Sequence, residues 1–150
     1  MMRVLLPAVF LLVPAVALAQ VKRTNPSTLS TPTGYTHIVE VNGPGRTIYV
    51  SGQIALDKDR KLVGAGDMKA QAEQVFKNLQ AALAAAGAAF KDVVKMNTYL
   101  TDMDKAPAVR EVRAQYFTDS TPASTLVQVV HLARPEFMIE IEVVAFVAAR

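Results

Sequence analysis

Phe137-Met138-Ile139-Glu140-Ile141-Glu142-Val143-Val144-Ala145-Phe146-Val147, near the end of the chain, alternates with a period of two. Ile139, Ile141, Val143 and Ala145 fall on one side of a strand, and Glu140, Glu142, Val144 and Phe146 on the other. The segment before it, Ser124 to His131, behaves alike: Thr125, Val127 and Val129 alternate with Ser124, Leu126, Gln128 and Val130. Ala133-Arg134-Pro135-Glu136 supplies the connection. Each strand thus has an apolar side and a mixed side. Valine, leucine and phenylalanine beside glutamate and glutamine suit a subunit interface better than bulk water. A closed homo-oligomer is expected.

Upstream, a helix is expected from about Asp67 to Ala86. Ala72, Val75, Phe76, Leu79, Leu83 and Ala86 form one stripe, while Lys69, Glu73, Lys77 and Asn78 lie largely off it. Asp67 can cap the start, and Gly87 stands where a left-handed stop residue belongs. Val93 to Leu100 reads as a strand and Lys105 to Phe117 as a second helix, with Pro107 tolerable in its first turn. Thr36 to Val41 and Thr47 to Ser51 are β-branched runs separated by Asn42-Gly43-Pro44-Gly45-Arg46, which predicts a hairpin. The order is β-β-α-β-α-β-β, an α+β sandwich whose helices cover one sheet face.

The first residues belong to a different kind of segment. Met1-Met2-Arg3, an apolar run with Pro7 and Pro14, and the ending Ala17-Leu18-Ala19 describe a signal peptide over residues 1–19, cut after Ala19. The run is short for a membrane span. The mature protein is expected in the periplasm or secreted, with no membrane attachment after cleavage. Residues 20–33, rich in Thr, Ser, Pro and Asn, read as a flexible lead-in to a domain over residues 34–148.

Composition narrows the chemistry. The chain of 150 residues is 51% hydrophobic and 19% charged, which fits one folded domain. With no cysteine there is no disulfide, thiolate nucleophile or zinc-ribbon site, and His37 and His131 lack the spacing of a metal pair. A zincin-type or multi-histidine metal site is not expected. The net charge of +3 comes from scattered Lys and Arg with no run longer than Lys22-Arg23, so nucleic acid is not an expected partner. Gly43-Pro44-Gly45 and Gly64-Ala65-Gly66 lack the lysine ending of a phosphate loop and read as a turn and a helix entry. Ser124 has no nucleophile-elbow context. Glu140 and Glu142, side by side on one strand, are not placed to flank a glycosidic bond.

Four segments carry a resemblance: Val50-Ser51-Gly52-Gln53-Ile54, Gln71 to Leu79, Tyr99-Leu100-Thr101-Asp102-Met103 and Ile139-Glu140-Ile141-Glu142. Together they resemble the Rid family, also called YjgF, from about Gly34 to Val147. The resemblance implies a chorismate-mutase-like homotrimer with a ligand pocket in each cleft between subunits. It also implies cofactor-free hydrolysis of enamines and imines, such as 2-iminopropanoate, to a keto acid and ammonia.

By the same resemblance Tyr35 helps close the pocket, Ser51 and Gly52 line it, and Glu140 positions the attacking water. The family's active branch carries an arginine in a Pro-Ala-Arg-Ser setting. Here Pro122-Ala123-Ser124-Thr125 puts Ser124 at that place. A guanidinium holds a carboxylate through two parallel charge-assisted bonds, whereas a serine offers one neutral donor. The usual imino-acid deaminase activity is therefore in question, and a small, anionic metabolite bound between subunits is the leading expectation. Arg110 stands where many active relatives have asparagine, and Leu126 where a cysteine is common. Deamination would need a cation near Ser124 from elsewhere, with Arg110 and Arg134 the candidates. Each residue also has a plain structural reading: Tyr35 as a packed ring, Gly52 as relief of a bulge, Ser51 as a bonded strand residue, Arg110 as a solvated helix arginine, and Glu140 as a carboxylate paired to a cation.

Overall fold

The computed structural model describes residues 20–149. The signal peptide expected over residues 1–19 lies outside them. The elements are β1 (Gln20–Thr24), β2 (Ile38–Asn42), β3 (Gly45–Gln53), α1 (Met68–Ala85), β4 (Val93–Leu100), α2 (Ala106–Ala114), β5 (Ala123–Gln128) and β6 (Ile139–Ala148), with short 3-10 turns before β4 and α2. The main sheet has the order β3-β6-β4-β5, antiparallel except for the parallel pair β4–β5.

Both helices lie on one face of this sheet, as the alternation in β6 requires. Ile139, Ile141, Val143 and Ala145 are buried there with Val93, Met96 and Leu100 of β4. The α1 stripe of Ala72, Val75, Phe76, Leu79 and Leu83 covers them, joined by Val109 and Val112 of α2. Asp67 caps α1, its carboxylate accepting from the N–H groups of Lys69 and Ala70 at 2.9 and 3.1 Å. Gly87, at φ +69°, ends the helix in the left-handed conformation that favours glycine. Phe76, Phe90, Tyr116 and Phe117 form an aromatic cluster beyond α2, with the Phe76 and Tyr116 rings stacked at 4.9 Å.

Two expectations need correction. Residues 20–24, read as part of a flexible lead-in, form β1. It pairs antiparallel with β2 in register from Gln20↔Asn42 to Thr24↔Ile38. Its sequence is largely polar, so the strand is made by its partner and by Arg23, which donates to the carbonyls of Thr121, Lys91 and Val93. The predicted hairpin is likewise not one. The chain does turn at Gly43, φ +87°, but β2 joins β1 in a separate two-stranded sheet while β3 pairs with β6. A β-branched run predicts a strand, not its partner.

The side of β5 that meets the helices is the mixed one. Ser124 and Leu126 are half-buried there, while Thr125 and Val127 are exposed on the opposite face. That open face also carries Tyr49, Lys95, Asn97, Tyr99, Glu140, Glu142 and Val144.

Candidate functional site

The six residues singled out in the sequence fall into two groups on different parts of the molecule. Ser51, Gly52 and Glu140 belong to the β3–β6 end of the sheet. The ladder between β3 and β6 shifts register between Val50 and Gln53, and Gly52 lies in that irregularity. It also sits hard against Glu140: a Cβ added at Gly52 would be 2.7 Å from Glu140 Cδ. Both structural reasons for a glycine thus operate together, and the second fixes where the Glu140 carboxylate can go. The following loop is held from α1, where Asn78 donates to the carbonyls of Ile54 and Leu56 at 3.0 and 2.9 Å and Gln74 donates to Asn78. Ser51 is exposed. It borders a shallower cavity of about 260 Å³ with Tyr49, Lys95, Asn97 and Glu142.

Tyr35, Arg110 and Ser124 line a larger cavity of about 420 Å³ between α2, β4 and β5. Thr36 positions Tyr35. Its N–H donates to Pro122 O at 3.0 Å, and its buried hydroxyl lies 2.8 Å from both Thr121 O and Thr121 Oγ1. These bonds fasten the segment before β2 to the segment before β5, so the tyrosine stands near Ser124. Tyr35 is not in a strand. Its ring meets His37 edge-on at 5.2 Å. The rest of the wall includes Phe76, Met96, Val109, Phe117 and Leu126.

The cation nearest Ser124 is one the sequence reading passed over. Arg113 projects from α2 into the same cavity, and its Nη1 donates to Ser124 Oγ at 3.4 Å. Its Nε and Nη2 are buried and have no hydrogen-bond partner among the described residues. The guanidinium lies over the Phe117 ring, with Cζ 5.5 Å from the centroid. Burial lowers its pKa from the ordinary guanidinium value to about 10, which leaves it charged at neutral pH. The signal was present in the sequence: Arg113 is four residues after Val109 and four before Phe117, on the apolar stripe of the helix. Arg110, one turn earlier, lines the cavity but is exposed. Arg134 does not reach it. Arg134 pairs with Glu136 at 3.6 Å and lies over Phe137.

The two glutamates of β6 have different surroundings. Glu142 accepts from Asn97 Nδ2 at 2.7 Å and from the Tyr99 hydroxyl at 3.1 Å. That hydrogen bond, with the negative charge beside it, raises the Tyr99 pKa above the usual phenol value. Arg134 is engaged by Glu136 at 3.6 Å within the chain.

The chain matches the Endoribonuclease L-PSP family over residues 25–147. It is 40% identical over 111 residues to a 2-iminobutanoate/2-iminopropanoate deaminase of Mus musculus, covering 74% of this chain and 79% of that protein. It is 39% identical over 100 residues to the 3-aminoacrylate deaminase RutC of Acinetobacter baylyi, covering 67% and 79%. A solved Rid-family protein of unknown function from Yersinia pestis, YyfB, superposes with a TM-score of 0.79 at 36% identity, covering 85% of this chain and 98% of that one. The fold is that of a small α+β protein with its helices on one face of a mixed sheet. The chain belongs to the Rid family, also known as YjgF.

Proposed function

We propose that this protein is a deaminase of small imines or enamines that carry a carboxylate, working as a homotrimer with each site shared between two subunits. The split geometry carries the reading. One part of the protomer offers Gly52 in contact with Glu140. Another offers a cavity with Tyr35, Ser124 and a charged arginine beside them. In the trimer of this reading, the open sheet faces pack together and a second copy supplies the carboxylate to the cavity. Tyr49, 79% exposed, and Val127, 39% exposed, give the open sheet face apolar surface for such an association. The mouse and Acinetobacter relatives are named for imino and enamine acid deamination, which is the chemistry such a site suits.

In this reading the ligand carboxylate lies against the cavity arginine. Glu140 from a second copy holds a water against the C=N carbon. The water oxygen bonds to that carbon as Glu140 takes its proton. The C=N π pair passes to nitrogen, which receives that proton from Glu140; Glu140 then takes the hydroxyl proton of the resulting carbinolamine and hands it to nitrogen as the C–N bond breaks, giving the keto acid and ammonia. The Gly52 N–H is available to the ligand where a side chain would block approach. An RNA substrate fits less well, because the guanidinium is half-buried within a largely apolar cavity.

Hydrolysis of 2-iminopropanoate by residues 20–150 tests the reading. The imine is generated in situ by an amino-acid oxidase and its decay followed by semicarbazide trapping. Acceleration by the wild type, lost in Glu140→Gln, is expected. One observation favours a second reading, in which the protein binds a metabolite without turning it over. Ser124 presents an uncharged hydroxyl to the cavity. An inert wild type beside an active Ser124→Arg variant selects that reading.

Export is part of the proposal and rests on residues 1–19. Their removal leaves every described element intact, since β1 starts at Gln20. N-terminal sequencing of the protein from a periplasmic fraction should begin at Gln20. A chain retaining Met1 in the cytosol overturns export.

A further inference from the structure

Arg113 presents an unusual situation. A buried guanidinium ordinarily finds an acid or several carbonyls, because an unpaired buried donor is costly. Here two of its nitrogens, Nε and Nη2, are buried without a protein partner among the described residues, and its one hydrogen bond, to Ser124 Oγ, is long at 3.4 Å. The unpaired N–H groups belong to a side chain that lines a cavity whose other walls include Phe76, Met96, Val109, Phe117 and Leu126. Nε and an Nη are the pair of donors a guanidinium uses to grip a carboxylate through two parallel bonds. The side chain is held in place by Ser124 on one side and the Phe117 ring on the other, so little freedom is lost when a ligand arrives.

We propose that Arg113 is the carboxylate anchor of this site, and that the cavity behind it selects ligands whose carboxylate is followed by an apolar side chain of several carbons. The aromatic and aliphatic walls give such a side chain a dry seat, and about 420 Å³ is far more than a two- or three-carbon acid fills. Ser124 then has a definite part. Its small hydroxyl leaves space for a guanidinium arriving from α2 and accepts one of its hydrogens. Arg110, exposed at the rim, contributes attraction at a distance and no fixed contact.

This inference rests on the cavity being a ligand site, not on turnover, so binding and catalysis are measured separately. Calorimetric titration of residues 20–150 uses three probes: pyruvate, 4-methyl-2-oxopentanoate and the neutral ketone 4-methylpentan-2-one. The branched keto acid should bind more than about tenfold tighter than pyruvate, as burial of three further carbons predicts. The ketone should bind at least about tenfold more weakly than its acid. Arg113→Met should weaken the acid about tenfold or more and leave the ketone unchanged, while Arg110→Gln changes the acid less than about threefold.

Thermal melting separates this from a structural role. Removing a buried, unpaired charge should leave the melting temperature of Arg113→Met unchanged or higher, whereas a structural arginine would lower it. Arg113→Lys, which keeps the charge and loses the fork, should bind with intermediate strength and serves if the methionine variant does not fold. Acid binding that survives Arg113→Met, or that disappears in Arg110→Gln instead, overturns the proposal. Binding through Arg113 without imine hydrolysis sustains it and defeats the deaminase reading. Imine hydrolysis that persists in Arg113→Met does the reverse.

Discussion

The two faces of the main sheet are made by the same strands and answer to different physics. On the helix side, Ile139, Ile141, Val143, Met96 and Leu100 are excluded from water, and position along the strand decides almost everything. On the open side, Asn97, Tyr99 and Glu142 are tied by side-chain hydrogen bonds, with Lys95 bonded to Thr125 across the β4–β5 pair. Burial holds the first face together. Specific polar geometry organises the second, and it leaves Tyr49 and Val127 in solvent. The contrast teaches that alternation in a sequence finds a buried face readily but does not say what an open face is for.

The contrast is broken most directly by paired truncations. Ile141→Ala should cost about 2–5 kcal/mol in urea unfolding, through lost burial and a cavity beneath α1. Thr125→Ala on the open face should cost less than about 0.5 kcal/mol. Equal costs would mean that both faces are core. Next in size is Gln71, the fully buried amide of α1, which donates to Glu136 O at 2.9 Å and accepts from Met138 N at 2.9 Å. Gln71→Leu strands both backbone groups and should destabilise the fold by about 1–3 kcal/mol, read from the same unfolding curves.

Gly52→Ala sharpens the comparison from the open side. The new methyl meets the end of a flexible glutamate rather than backbone, so the Glu140 carboxylate is displaced and the fold is spared. Melting should shift little, while imine hydrolysis falls about tenfold or more, as expected when a water-orienting group is misplaced. A variant that melts early and keeps its activity contradicts this placement. The smallest effect belongs to Tyr99. Its raised pKa means that the folded protein holds the phenol proton more tightly than the unfolded chain. The resulting stabilisation is complete below about pH 10 and is lost as pH rises through the folded pKa. Tyr99→Phe should flatten that alkaline decline in a series of melts between about pH 9 and 11.

Much of the fold was legible because it depends on periodicity. The α1 stripe, its Asp67 cap and the limits of β4 follow from spacing and residue type alone. β1 was not legible because a single valine in Gln20-Val21-Lys22-Arg23-Thr24 sets up no alternation; pairing to β2 and the Arg23 bonds make it a strand. The hairpin was misread for the related reason that local turn chemistry is indifferent to which distant strand competes for an edge. Of the candidate site, Gly52 lies against Glu140, and Tyr35, Arg110 and Ser124 share a cavity, two groupings that spacing in the sequence does not show. Arg113 escaped notice because a charged residue on a helix is usually solvated. Only its position on the apolar stripe set it apart. Gln71 and Asn78, quoted for the resemblance, prove to hold the loops around the sheet through backbone carbonyls.

The position of β6 within the sheet has a consequence in time. β6 is the last strand in the chain, yet it lies between β3 and β4 and pairs with both. While the polypeptide is being made, β3 has no ladder partner and β4 has only β5, so the apolar side of α1 finds no finished surface to cover. Cooperative closure therefore waits for residues 139–148 to leave the ribosome, and it pairs β6 with a strand far back in the chain, Gly45 with Ala148 at one end, a slow kind of contact to form. Without residues 139–148, β3 and the β4–β5 pair have nothing between them, and the sheet has no centre.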